Sequence, residues 1–419
     1  MGILRWLFKF FLWFFGISLS KEEKILSNDS LTVIIPAYNE GDVLCQTLQA
    51  IFQQTRKADR IVIIDDGSED NTSEVAKKYQ VELVRLVPRS GSKAKAVNRT
   101  LSQLNIDTHY LAIIDADTVL AKNAFEKSLK HFKDSRVAAV CGYVIAGQTK
   151  SLWQKARFIE YLVGGAIEKA AQEWWGTPLI MAGCFTIWRR SIFIEVGGFP
   201  ERSLTEDLDL TWTLIAKGYR VVYASEARCF TIDPLTFSQL RKQLLRWRQG
   251  YLQNLKYHLS ECFFKPIFGF FAFKWLIDGI FLGPIFTIVL PLYLILNGRW
   301  LWLLILILIE WLYLGIVSVI QGYRLGYSLK ILTYVPIYWA LKPINFILFF
   351  EALVRQLNKW LTSKDKREEE WTKTREKGVV EMSYLPISGL PIGTILRFPV
   401  LVILTFALLA LAGTGSIPY

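Results

Sequence analysis

Two apolar runs, Phe281–Leu296 and Leu301–Ile320, are separated only by "NGRW", and this feature limits the fold more than any other. Each run approaches the roughly 20 residues that a helix needs to cross a bilayer. So short a link permits only a tight turn between antiparallel helices. Further apolar runs cover Leu4–Leu19, Leu332–Val354 and Ile395–Ala412. A chain that is 52% hydrophobic, with mean hydropathy +0.28, suits a membrane protein better than a soluble enzyme. The run Leu4–Leu19 carries Arg5 and Lys9 and no A-x-A-like cleavage site, so it reads as an uncleaved anchor that spans the membrane or lies in the interface.

Between Leu4–Leu19 and Phe281–Leu296, from about Ser20 to Cys262, the composition is mixed and long enough for one sizeable domain. The net charge of +12 comes without a helix-turn-helix, zinc-finger or RNA-binding signature, so nucleic acid is not expected as a partner. Cytoplasmic loops and a phosphorylated substrate account for the excess. The cysteines, at 45, 141, 184, 229 and 262, form no C-x-x-C and read as reduced thiols, and the scattered histidines give no zinc pattern.

Within that domain, apolar strands alternate with helical patterns. "SLTVIIPAYNE" is a strand ending at Pro36, followed by a helix over Val43–Phe52; "DRIVIIDDGS" is a second strand, followed by a helix over Asp70–Tyr79. "VELVRL", the helical "KAKAVNRTLSQL" and the strand "HYLAIIDAD" complete the series. Such alternation predicts an α/β fold with a parallel sheet covered on both faces, whose ligands bind beyond the carboxyl ends of the strands. "PAYNE", "DDGS" and "DAD" all stand at those ends.

"DAD" places Asp115 and Asp117 where alternate positions can face the same way. It is either a turn cap or a Mg²⁺ or Mn²⁺ site bridging to a diphosphate, and the neighbouring acidic strand ends favour metal. Lys93, after a glycine, is a phosphate contact or a solvated lysine. Thr205 of "TED" caps the helix that follows, or one of Glu206 and Asp207 serves as a general base. In "QLLRW", Gln243, Arg246 and Trp247 share one helical face: a reaction-site cluster, or an ordinary interfacial anchor.

The ordered set "PAYNE", "DDGS", "DAD", "TED" and "QLLRW", followed by membrane helices, resembles the membrane-integrated, processive family 2 glycosyltransferases, among them synthases of cellulose, hyaluronan, chitin oligosaccharides and poly-N-acetylglucosamine. "TEDLDLTW" and "YWALKPI" bring it nearest the last two. The resemblance implies a nucleotide-diphosphosugar transferase domain with a Rossmann-like sheet, fused to transmembrane and interfacial helices. It implies that Pro36, Tyr38, Glu40 and Asp66 hold the uridine of a UDP-sugar, with Lys93 and Asp115 along the ribose and diphosphate. Asp117, with Asp115, would bind the metal, and Asp207 would be the base. Gly183 and Cys184 of "AGCF", with Glu206, Gln243 and Trp247, would face the acceptor, while Arg246 would lie near the diphosphate. Trp371, Thr374 and Arg375 of "WTKTR" resemble a Trp-x-x-Thr-x-Arg gating segment whose spacing differs by one residue.

The expected organisation is an anchor (1–20), a cytosolic transferase domain (30–262), a hairpin with an interfacial or re-entrant helix (263–354), a cytosolic gating loop (355–383) and a C-terminal membrane segment (384–419). The basic residues between 355 and 377 put that loop in the cytoplasm, which requires Leu332–Val354 not to cross. Lys342-Pro343 agrees, since proline interrupts a helix and lysine is costly at the bilayer centre. The expected activity is inverting, metal-dependent extension of a β-linked polysaccharide from a UDP-sugar, with the polymer passed across a bacterial-type plasma membrane, alone or with accessory export subunits. The alternatives are a single addition to a lipid or polyprenyl-phosphate acceptor, and a non-catalytic export or sensing subunit.

Overall fold

The computed structural model describes residues 29–362. The anchor at 1–20, the loop with Trp371, Thr374 and Arg375, and the segment 384–419 lie outside the described residues.

The domain is built on an eight-stranded sheet in the order β3-β2-β1-β4-β7-β6-β8-β5. Its first half follows the sequence pattern: β1 (Leu31–Ala37), β2 (Arg60–Asp65), β3 (Glu82–Arg85) and β4 (Tyr110–Ile114) are mutually parallel. β1 and β4 are buried at every residue, as continuous apolar runs covered on both faces must be. Pro36 is tolerated in an inner strand because pairing with β4 has already ended at Ile34, so its missing N–H leaves no gap on that side. The helices are α1 (Gly41–Phe52), α2 (Thr72–Lys78) and α3 (Lys93–Gln103). α1 starts ahead of the expected Val43, and α2 is shorter than Asp70–Tyr79.

The other half corrects the expectation of an all-parallel sheet. A short β5 (Val119–Leu120) and the long β6 (Val137–Ala146) are followed by α4 (Leu152–Val163), which runs into a π-helical turn at Gly164–Lys169. β7 (Phe185–Arg189) then enters antiparallel between β4 and β6. The chain reaches β7 from the carboxyl end of β4, so the connection needs no crossover and the direction reverses. α5 (Glu206–Ala216) and β8 (Arg220–Thr231) complete the domain, with β8 parallel to β6.

From α6 (Phe237–Tyr257) the chain turns to three long apolar helices, α7 (Pro266–Leu296), α8 (Trp300–Leu325) and α9 (Val335–Leu361). The last of the three apolar stretches begins at Leu329, and each is long and apolar enough to cross a membrane by length and composition. Phe281, Leu292, Leu301, Trp302, Leu308 and Leu312 are exposed, the surface that acyl chains rather than water would cover. Pro343 does not interrupt α9, which runs on through it. Lys342 is buried and ion-paired with Glu310 of α8, which also accepts from Trp339 Nε1 at 2.7 Å. The two features that argued for a broken helix are thus absorbed by a neighbour: packed helices tolerate an internal proline, and a paired lysine is less costly than a bare one.

Candidate active site

The register of β7 builds the site. Phe185 pairs with Ile114, so the residues just before β7 lie against those just after β4. Asp115 N–H donates to the Cys184 carbonyl at 3.2 Å, fixing "AGCF" over "DAD". Gly183 is the joint. Its N–H donates to Asp207 Oδ2 at 2.9 Å, and its carbonyl accepts from Lys93 Nζ at 2.6 Å. A Cβ on Gly183 would sit 3.0 Å from Asp207 Oδ2 and 3.4 Å from Lys93 Nζ. A side chain here would require Asp207 or Lys93 to give way by a few tenths of an ångström.

Lys93 therefore is not a solvated lysine. It ion-pairs with Asp115 from the first turn of α3. Burial alone would lower its pKa, but the carboxylates of Asp115, Glu206 and Asp207 hold it above its ordinary value. Asp207 is pushed the opposite way for an acid. Burial first, and then the Glu206 charge, lift it to about 6, against the opposing pull of Lys93 and N–H bonds from Leu208 and Gly183. Asp207 is half-buried whereas Glu206 is buried, so of the two "TED" acids Asp207 is the more accessible.

Thr205 does not cap α5 with its side chain. Its hydroxyl instead accepts from Asn254 Nδ2 of α6 at 3.0 Å, and Leu204 N–H donates to Gln253 Oε1 at 3.0 Å. Gly250 makes room for this: a Cβ there would lie 2.4 Å from Thr205 Oγ1. Further along, His258 and, from the loop before α5, Arg202 each bond Asp209 at 2.8 Å, so the first turn of α5 is tied to the last turns of α6. Gly250, Gln253 and Asn254 were missed from sequence. Gln243, Trp247, Gly250 and Asn254 nonetheless recur at helical spacing along one face, and that periodicity was the available signal.

On the same helix, Arg246 Nη1 reaches the Leu204 carbonyl at 3.4 Å, next to the "TED" turn. Gln243 is buried. Trp247 is 8% exposed, so only part of its ring is available to an acceptor. The Arg157 guanidinium lies 5.1 Å from that ring and 4.5 Å from the Tyr161 ring, within cation–π range. Arg157 in turn pairs with Glu160 and with Asp233. Burial lifts Asp233 to about 6 despite its Arg157 and Tyr161 partners. This buried network behind Trp247 was not visible in the motifs.

The remaining candidates gather at the ends of β1, β2 and β4. Asp66 is buried and accepts from the N–H groups of Ser90 and Gly91 at 2.6 and 3.0 Å, so it shapes the loop leading to Lys93. The Arg89 guanidinium lies 3.6 Å from the Tyr38 ring centroid. The Glu40 N–H donates to Thr72 Oγ1 at 2.9 Å. Asp117 is buried in the turn after β4, beside Asp115. Among the described residues no third acid, histidine or cysteine joins these two. Two hard oxygen donors suit Mg²⁺ or Mn²⁺, which commonly take one or two carboxylates and complete their shell with substrate phosphates and water. The residues present fit such an ion.

A sequence profile described as glycosyltransferase-like family 2 matches residues 28–250. A poly-β-1,6-N-acetyl-D-glucosamine synthase of Staphylococcus aureus is 32% identical over 227 residues, covering 53% of this chain and 54% of that protein. The Staphylococcus epidermidis synthase of the same name is 30% identical over the same length. The chain thus spans about half the length of the curated relatives it matches. Among solved structures, a mannosyltransferase of Pyrobaculum calidifontis, in complex with GDP-mannose and Mn²⁺, aligns with a TM-score of 0.52. It is 18% identical, with 84% of this chain and 94% of that one covered, and so speaks for the fold.

Proposed function

Because the chain belongs to glycosyltransferase family 2, we propose that it transfers a sugar, N-acetylglucosamine, from a UDP-sugar to a growing β-linked polysaccharide with inversion at the anomeric carbon. The observation that carries this reading is the Gly183 joint, which holds Asp207, with a pKa of about 6, beside the Lys93–Asp115 pair.

Asp207 accepts the proton of the acceptor hydroxyl as that oxygen bonds to the anomeric carbon. A carboxyl that ionises near 6 is charged at neutral pH and more basic than an ordinary aspartate. The bond from the anomeric carbon to the UDP oxygen breaks on the opposite face, and UDP carries away the electron pair. Lys93 and Arg246 supply fixed positive charge where negative charge develops. Asp117 and Asp115 would hold the Mg²⁺ or Mn²⁺, which when bound supplies further charge neutralisation at the diphosphate. Pro36, Tyr38, Glu40 and Asp66 would border the uridine, and Gly183, Cys184, Glu206, Gln243 and Trp247 the acceptor. Trp371, Thr374 and Arg375 would close over the nucleotide, with α9 lying along the interface or re-entering so that the segment after it stays on the domain's side. The domain would face the cytosol of a bacterial cell, with the polymer crossing the bilayer beside α7–α9, alone or with export subunits.

The test uses membranes containing the full chain, Mn²⁺ or Mg²⁺ and radiolabelled UDP-sugars, followed by sizing of the product. UDP-N-acetylglucosamine should give label in long chains that a β-hexosaminidase degrades. Label confined to a single sugar on extracted lipid would replace polymer synthesis with a one-step transfer. No incorporation from any nucleotide sugar would overturn the reading.

A further inference from the structure

Away from the Asp207 site, one cleft sits where the domain meets the membrane helices. It lies between strands β6 and β8, the π-helical turn after α4 and the last turn of α8, and opens to solvent. Its polar lining is Tyr143, Ser225, Arg228, Gln321 and Arg324, and no carboxylate is among the lining residues described. Arg228 Nη2 donates to the Arg324 carbonyl at 3.2 Å, and Arg324 Nη1 donates to Gln321 Oε1 at 3.3 Å. Arg228 Nε is buried and makes no hydrogen bond.

Two guanidinium groups therefore share one concave site. The acid nearest in sequence, Glu226, is engaged by His131 at 2.9 Å. The positive field extends to Lys127, whose pKa is held below its ordinary value by burial first and then by Arg228. Like charges at such range repel unless an anion lies between them. Guanidinium forks match phosphate oxygens better than any other side chain does. The location adds a further constraint. Arg324 is in the last turn of an apolar helix of membrane length, the level at which lipid headgroups lie, and basic pockets at that level take anionic headgroups.

We propose that this cleft binds a phosphate oxyanion carried by the headgroup of an anionic phospholipid, with Arg228 and Arg324 as its cations and Ser225 and Gln321 as further polar contacts. A soluble phosphate has the same chemistry, and the arms of the test separate the two sources. The site is distinct from the Asp207 cleft, and its test requires no turnover.

The full chain in a neutral detergent is unfolded thermally with increasing phosphatidylglycerol, with phosphatidylcholine or with inorganic phosphate. Phosphatidylglycerol should raise the melting temperature saturably and phosphatidylcholine should not. The double variant Arg228→Gln/Arg324→Gln should bind phosphatidylglycerol about tenfold or more weakly, the loss expected for charge-assisted hydrogen bonds. Equal protection by inorganic phosphate, also lost in the variant, keeps the oxyanion site and transfers it to a soluble ligand. If the double variant folds poorly, Arg324→Gln alone, at an exposed residue, should show a weakening in the same direction. Protection by neither anion, or protection with unchanged affinity in the variants, overturns the proposal.

Discussion

Sugar transfer should rise with pH along a limb centred near pH 6, and Glu206→Gln should move that limb to lower pH. Asp207 must be ionised to accept a proton, and its pKa is about 6. At pH 5 only about a tenth of it is charged, so the rate should be about a tenth of the plateau. Burial is the largest cause of the lift and Glu206 the second, so removing the Glu206 charge removes an upward push. Lys93 pulls the other way, so Lys93→Met should move the limb up. The midpoint belongs to the group of interacting residues rather than to Asp207 alone. The assay is the initial rate of label incorporation at saturating donor and fixed divalent ion, from about pH 4.5 to 8, with thermal unfolding followed in parallel. The two readouts should diverge. The folded state keeps the Asp207 proton to about 6, whereas the unfolded chain releases it near 3.8, so this group's contribution to stability falls as pH rises across that window. Activity should climb where that contribution declines, which separates ionisation of a base from acid unfolding. A limb that stays in place in Glu206→Gln, or an Asp207→Asn variant with the wild-type rate, would refute the reasoning.

Asp117→Asn should abolish transfer while leaving the melting temperature unchanged, and EDTA should do the same to the wild type; full activity in either case removes the ion from the reaction. Gly183→Ala places a methyl group 3.0 Å from Asp207 Oδ2 and should cut transfer at least about tenfold, with UDP binding by calorimetry retained. Arg157→Met strands the buried Glu160 and Asp233 carboxylates and should lower stability by about 3–5 kcal/mol in denaturant unfolding. Trp247→Ala should shorten the polymer in a sizing assay while leaving UDP affinity unchanged.

Much of this site was legible because buried parallel strands appear in sequence as continuous apolar runs, and their carboxyl ends carry the chemistry. β1, β2 and β4 are of this kind, so "PAYNE", "DDGS" and "DAD" could be placed side by side before any coordinates. β7 was not legible. Five residues, "FTIWR", have no run length to announce a strand, and their direction is set by the tertiary path. The same holds for pairings distant in sequence: Gly183 meets Asp207 and Arg157 meets Asp233 through folding alone. Thr205 misled for a related reason. A threonine before a helix usually bonds its own N-terminus, but Asn254 offers a buried partner that only packing reveals. Pro343 was read by a local rule that its neighbouring helices override.

The Glu310–Lys342 pair has a consequence for how the chain is made. Taken singly, α8 carries an acid and α9 a lysine within otherwise apolar stretches, and an ionisable residue of either sign at a helix centre adds about 2.5–3.5 kcal/mol to the cost of membrane insertion. Paired, they offset part of that cost. During synthesis α8 emerges first, so its Glu310 waits for a counter-ion that the ribosome delivers only after residue 342 has cleared the exit tunnel. If both helices enter the bilayer they would do so best as one unit, because a nascent chain cut between them leaves Glu310 without its lysine.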